Sequence, residues 1–113
     1  MSEKRPLALR KDSPTVENPP GIFRTTLAYN RDLMLCHFRM QAGAEIPLHS
    51  HEAVQNGYLI KGKVRFFVED GSGFTAEAGT GYVFDSRQKH GAEVLEEAEA
   101  VECFAPMRPE YAG

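Results

Sequence analysis

A chain of 113 residues has room for one domain around one hydrophobic core. Its formal charge of −3, with no block of like charge, offers no basic surface to nucleic acid or anionic lipid. Ten glycines and seven prolines, set among short runs of aromatic and β-branched residues, argue against a helical bundle and for an all-β fold rich in turns.

In chain order, residues 1–20 read as a proline-containing arm, because Pro14, Pro19 and Pro20 block helix and weaken strand pairing. The arm is free to pack on the barrel or on a partner, and it holds no apolar run resembling a signal-peptide core. Residues 21–113 form the barrel. Ile22 to Tyr29 is its first strand, closed by a turn at Asn30, Arg31 and Asp32. From Leu33 to Met40 the residues Met34, Cys36, Phe38 and Met40 alternate with Leu33, Leu35, His37 and Arg39, the period of a strand with one greasier face. Tyr58 to Ile60 and Val64 to Val68 flank Lys61, Gly62 and Lys63, which predicts a hairpin. Phe74 to Ala78 and Tyr82 to Asp85 follow as strands. Ala92 to Leu95 then turns through Glu96, Glu97 and Ala98 into Ala100 to Phe104. This pattern of about eight strands, with turns recurring between them, is that of a sandwich or barrel. Cys36 and Cys103 lie in alternating runs without CxxC spacing, which predicts two buried free thiols. No stretch approaches the roughly eighteen apolar residues of a membrane span, so the expected location is the cytoplasm.

The chemistry lies in the histidines. His49 and His51 are spaced i, i+2, so on an extended segment they point to one side and can reach one ion as neighbouring ligands. The same spacing also suits a surface or structural pair. Glu52, adjoining them, points the opposite way and reads as a solvated carboxylate. His37, between Leu35 and Arg39, reads as lining the core or the surface rather than as part of the chemistry.

The surroundings of the pair resemble a known family. Gly43, His49, His51, Gln55 and Gly62 fit the first cupin motif, G(x5)HxH(x3,4)E(x6)G, with Gln55 where the family usually has Glu. His90 falls where the second motif, G(x5)PxG(x2)H(x3)N, places its histidine after Gly79, although Asp85, Arg87 and Val94 stand at its Pro, Gly and Asn positions. The loop before His90 is therefore expected to differ in shape. The resemblance implies a single-domain double-stranded β-helix, or jelly-roll barrel, holding one divalent transition-metal ion through His49, His51, Gln55 and His90. Ni, Fe, Mn, Zn and Cu all suit imidazole and oxygen donors. A neutral amide at Gln55 leaves the full charge on the ion, which makes a stronger Lewis acid than a carboxylate ligand would.

Within the cupins the chain resembles the KdgF-type enzymes, which open 4,5-unsaturated monouronates to linear keto acids in pectin and alginate breakdown. The likeness rests on the three-His, one-Gln set, on the run from Arg24 through Gly43 to His51, and on the closing segment Glu102, Cys103, Phe104, Ala105, Pro106, Met107, Arg108 and Tyr111. That segment is similar to the family's DxFxPxRxxY, with Glu for Asp. It implies an isomerase-like enzyme in which Glu102 and Arg108 are catalytic, and Phe104 and Arg108 touch a small anionic sugar-like substrate. Glu102 and Phe104 also share a face of the last strand, where a carboxylate among apolar neighbours is a site candidate; the alternative is a strand turned the other way, with Glu102 in water. Arg108 presents a fork suited to a carboxylate, or else an exposed charge near the C-terminus. The other functions considered are a metal-dependent dioxygenase of a small molecule and a non-catalytic sugar-binding or sensor cupin. A homodimer is the expected assembly.

Overall fold

Alternating apolar residues cannot be buried by one strand alone, so each must find neighbours on both edges. The computed structural model describes residues 4–112; Met1 to Glu3 of the predicted arm, and Gly113, lie outside it. Eight strands follow in order: β1 (Thr15–Glu17), β2 (Ile22–Tyr29), β3 (Met34–Met40), β4 (Glu45–His49), β5 (Val54–Val68), β6 (Gly73–Glu77), β7 (Gly81–Phe84) and β8 (His90–Ala105). Two short 3₁₀ segments, Arg10–Asp12 and Pro109–Tyr111, are the only helix among the described residues. No helix there is long and apolar enough to cross a membrane.

The long strands β5 and β8 pair antiparallel along most of their lengths, from Val54↔Ala105 to Val68↔His90. Their two halves serve different sheets. The second half of β8 pairs β3, which carries β2 and β1, while the first half of β5 pairs β7. The first half of β8 pairs β4, and the second half of β5 pairs β6. The two layers so formed face each other as the expected all-β jelly roll, and the core lies between them. Met34, Cys36, Phe38 and Met40 are all buried, as their alternation predicted, and meet Leu59, Val64, Phe66, Phe84 and Phe104.

Two predicted turns do not exist. Lys61 to Lys63 and Glu96 to Ala98 lie opposite one another inside β5 and β8, and the register shifts there instead of the chain reversing. The physical reason is a pair of bulges at the corner where both strands pass from one layer to the other. Gly62 has φ 90°, and a Cβ there would fall on Glu97 O and come within 2.6 Å of Ala98 Cα. A left-handed glycine flanked by lysines has the composition of a hairpin turn, but here it brings two backbones together. Gly62→Ala should therefore destabilise the fold by about 2 kcal/mol or more, seen as a lower urea midpoint; an unchanged midpoint would show that the bulge yields at no cost.

The segment before Gly21 lies along β2, through β1 and an isolated bridge between Arg5 and Tyr29. Cys36 is buried, whereas Cys103, on the outer face of β8, is only half-buried; both are free thiols.

Candidate metal centre

β4 ends and β8 begins at one rim of the barrel, where His49 and His90 stand opposite each other in register. His51 follows two residues after His49, and Gln55 enters from the start of β5. The three imidazoles face one another, with ring centroids 4.5 to 5.5 Å apart and ligand atoms all within 4.8 Å. Each ring is fixed by a backbone carbonyl: His49 Nδ1 to Pro47 O at 3.0 Å, His51 Nδ1 to Ala53 O at 2.8 Å and His90 Nδ1 to Gln88 O at 2.8 Å. A carbonyl only accepts, so every Nδ1 carries the proton and every Nε2 offers a lone pair.

Gln55 Oε1 lies 3.0 Å from His51 Nε2 and 3.2 Å from His90 Nε2. Its amide nitrogen is engaged elsewhere, donating to Glu102 Oε1 at 2.9 Å. Lone pairs thus face a lone pair, with no proton to share, and a cation is what satisfies all of them. Burial, helped by the positive Arg108, holds the His51 pKa below its ordinary value. Burial likewise lowers His90 to about 4. Both rings remain in the neutral form that ligates. The donor set fits one divalent ion bound by three imidazole nitrogens and an amide oxygen.

Around these donors runs a second network. Tyr82 donates its hydroxyl to Glu102 Oε2 at 2.5 Å. Glu102 is buried, which raises its pKa, while hydrogen bonds from Tyr82 and Gln55 and the charge of Arg108 work in the opposite direction. Burial foremost, then the charge and hydrogen bond of Glu102, raise the pKa of the Tyr82 hydroxyl. Arg108 lies over the rings of Tyr111 at 4.1 Å and Phe104 at 5.3 Å and pairs with Glu110 at 3.0 Å. A cavity open to solvent is lined by His49, Gln55, His90, Glu102, Phe104 and Arg108.

Residues 36–105 match the cupin domain family, more than half of the chain. The chain is a cupin. Among solved structures it is similar to an RmlC-like cupin from Shewanella frigidimarina, with 22% identity and a TM-score of 0.89 over 97% of this chain and 99% of that one. It is similar to KdgF from Halomonas sp. at 27% identity and a TM-score of 0.84, over 94% of this chain and 99% of that one. The oxalate decarboxylase of Lactobacillus farciminis shares the fold at 21% identity and a TM-score of 0.73, over 89% of this chain but 33% of that one. No curated protein matches the sequence significantly.

Six of the seven site residues read from sequence line one cavity of the cupin barrel, and His51, whose Nε2 faces Gln55 Oε1, also borders an adjoining cleft that Arg108 lines. Glu102 and Phe104 face inward together. Glu52 is exposed, and His37 pairs with Glu99 at 2.5 Å, away from this cluster. The loop before His90 keeps a left-handed residue where the motif has glycine: Arg87 takes φ 64°, and its N–H donates to His51 O at 2.7 Å. Tyr82 and Gly57 escaped the sequence reading. Tyr82 shares the inward face of β7 with Phe84, and a phenol on an apolar face must find a partner; that is the signal by which the residue was detectable.

Proposed function

We propose that this cupin binds one divalent transition-metal ion through His49, His51, Gln55 and His90 and opens the ring of a 4,5-unsaturated monouronate to its linear keto acid. The observation that carries the reading is Gln55 Oε1 set against the lone pairs of His51 and His90, in a cavity shared with a buried carboxylate and a guanidinium. The likeness to KdgF from Halomonas sp. supports the choice of substrate.

When bound, the ion supplies Lewis acidity toward substrate oxygens, undiminished by a charged ligand. Arg108 holds the uronate carboxylate, backed by Tyr111, and Phe104 forms the wall beneath the ring. Glu102 uses two of its four acceptor positions on Tyr82 and Gln55, which leaves room for a proton. It takes that proton from the C1 hydroxyl. The C1–O5 bond breaks, C1 becomes an aldehyde, and the bonding pair leaves an enolate oxygen on C5. Returning the proton to C4 completes the ketone at C5, so that no atom or electron is gained or lost.

The experiment is direct. Metal-loaded protein should speed the loss of the ultraviolet absorbance of the conjugated enol ether, without consuming dioxygen or needing a nicotinamide. Decay at the uncatalysed rate would overturn the reaction, and dioxygen uptake would favour an oxygenase. Arg108→Lys keeps the charge but loses the planar fork and its stacking on Tyr111, so the Michaelis constant should rise by about tenfold or more with a smaller change in turnover. Wild-type kinetics in that variant would return Arg108 to a purely structural place beside Glu110.

A further inference from the structure

Gln55 is the ligand candidate whose chemistry depends on which way it faces. Its oxygen can meet a cation and its nitrogen cannot, yet the two ends of the amide have nearly the same shape. With Nε2 of His51 and His90 as neighbours, the amide would gain two hydrogen bonds by turning its NH₂ toward their lone pairs. Such a turn would close the site to metal. Glu102 opposes it, because its Oε1 accepts from Gln55 Nε2 at 2.9 Å and a reversed amide would set oxygen against oxygen.

Glu102 is held in turn. Tyr82 donates to its Oε2 at 2.5 Å, and the Tyr82 ring is packed 4.5 Å from Phe66. The three strands meet at one glycine: Gly57 on β5 is in register with Tyr82 on β7 and with Glu102 on β8. A Cβ at Gly57 would come within 2.6 Å of the Tyr82 hydroxyl and 2.8 Å of Glu102 Cγ, so the bare backbone is the slot in which the pair sits.

We propose that Glu102, held by Tyr82 across the slot at Gly57, is a positioning residue for the metal centre that fixes the Gln55 amide with its oxygen toward the imidazoles. This role rests on the metal site proposed above and is independent of the uronate reaction. It is also distinct from proton transfer, since it acts through Gln55 and operates with no substrate present.

Cobalt(II) titrated into metal-free protein tests it, because the visible absorption of the bound ion reports the number and type of its ligands. Glu102→Leu removes the acceptor and should weaken cobalt binding by about tenfold to a hundredfold, the usual cost of losing an outer partner of a ligand, with an altered spectrum. Glu102→Gln still accepts from Gln55 through its carbonyl and should restore near-wild-type affinity. Tyr82→Phe keeps the ring packing and should move affinity in the same direction as Glu102→Leu, by less. Wild-type affinity and spectrum in Glu102→Leu would overturn the proposal, as would equal weakness in Glu102→Gln, which would make charge and not hydrogen bonding the cause. Should Glu102→Leu fail to fold, Tyr82→Phe decides, and unchanged affinity there overturns the role. Wild-type protein that takes up no cobalt would remove the metal site and this role together. Cobalt bound tightly beside an untouched uronate would overturn the reaction alone.

Discussion

Purified His90→Ala protein should hold little divalent metal after dialysis, where wild type holds about one ion per chain. The ring it removes stacks 4.4 Å from Phe84 and offers Nε2 to the same point as His51. Loss of a ligand should exceed the tenfold to hundredfold typical of an outer partner. His49→Ala, at a half-buried position on the rim, should lose metal with less damage to packing. Elemental analysis of both proteins checks the result, and full occupancy in both would remove the site. The metal-free protein carries a second consequence. Burial moves the His90 pKa from an ordinary 6.5 down to about 4, so between these values the unfolded chain binds a proton that the folded one refuses. Stability is then complete above about pH 6.5 and falls as the pH drops toward 4, with His51 adding in the same direction. His90→Ala should flatten that limb of the urea midpoint plotted against pH; an unchanged slope would place the proton uptake elsewhere.

How far the sequence could be read depends on the distance over which each feature is decided. Alternation from Met34 to Met40 is a local pattern, and it identified the buried face correctly. The i, i+2 placement of Glu102 and Phe104 is equally local, and both point inward. Motif spacing named His49, His51, Gln55 and His90, which the barrel gathers from β4, the connection after it, β5 and β8. Gly62 failed because a hairpin turn and a strand bulge both want a glycine with positive φ between polar residues. Only the long pairing of β5 with β8 chooses between them, and no window of ten residues contains it. The short strands β1 and β4 escaped for a related reason: exposed or half-buried throughout, they lack a greasy face and exist because an edge of β2 or β8 is there to receive them. Tyr82 was missed because its meaning lies in Glu102, twenty residues along the chain and on another strand.

Glu102→Gln should lower turnover on the unsaturated uronate by on the order of a hundredfold to ten-thousandfold, the range that a positioned acid or base contributes. The substitution is close to isosteric. Its carbonyl still accepts from Gln55 Nε2, and its amide still meets the Tyr82 hydroxyl, which can reverse its role and accept. Metal content and cobalt spectrum should therefore stay near wild type, and packing around a residue this buried should hardly change. What disappears is the ability to take a proton from the C1 hydroxyl and return it at C4. Glu102→Asp keeps that ability on a shorter arm and should remain active, whereas a purely structural carboxylate would make Asp, which withdraws from both partners, the worse of the two replacements. The order of the two turnovers thus separates proton transfer from scaffolding. If Glu102→Gln, fully loaded with metal, turns over at the wild-type rate, Glu102 does not move the proton and only its hold on Gln55 is left to explain why a carboxylate is buried there.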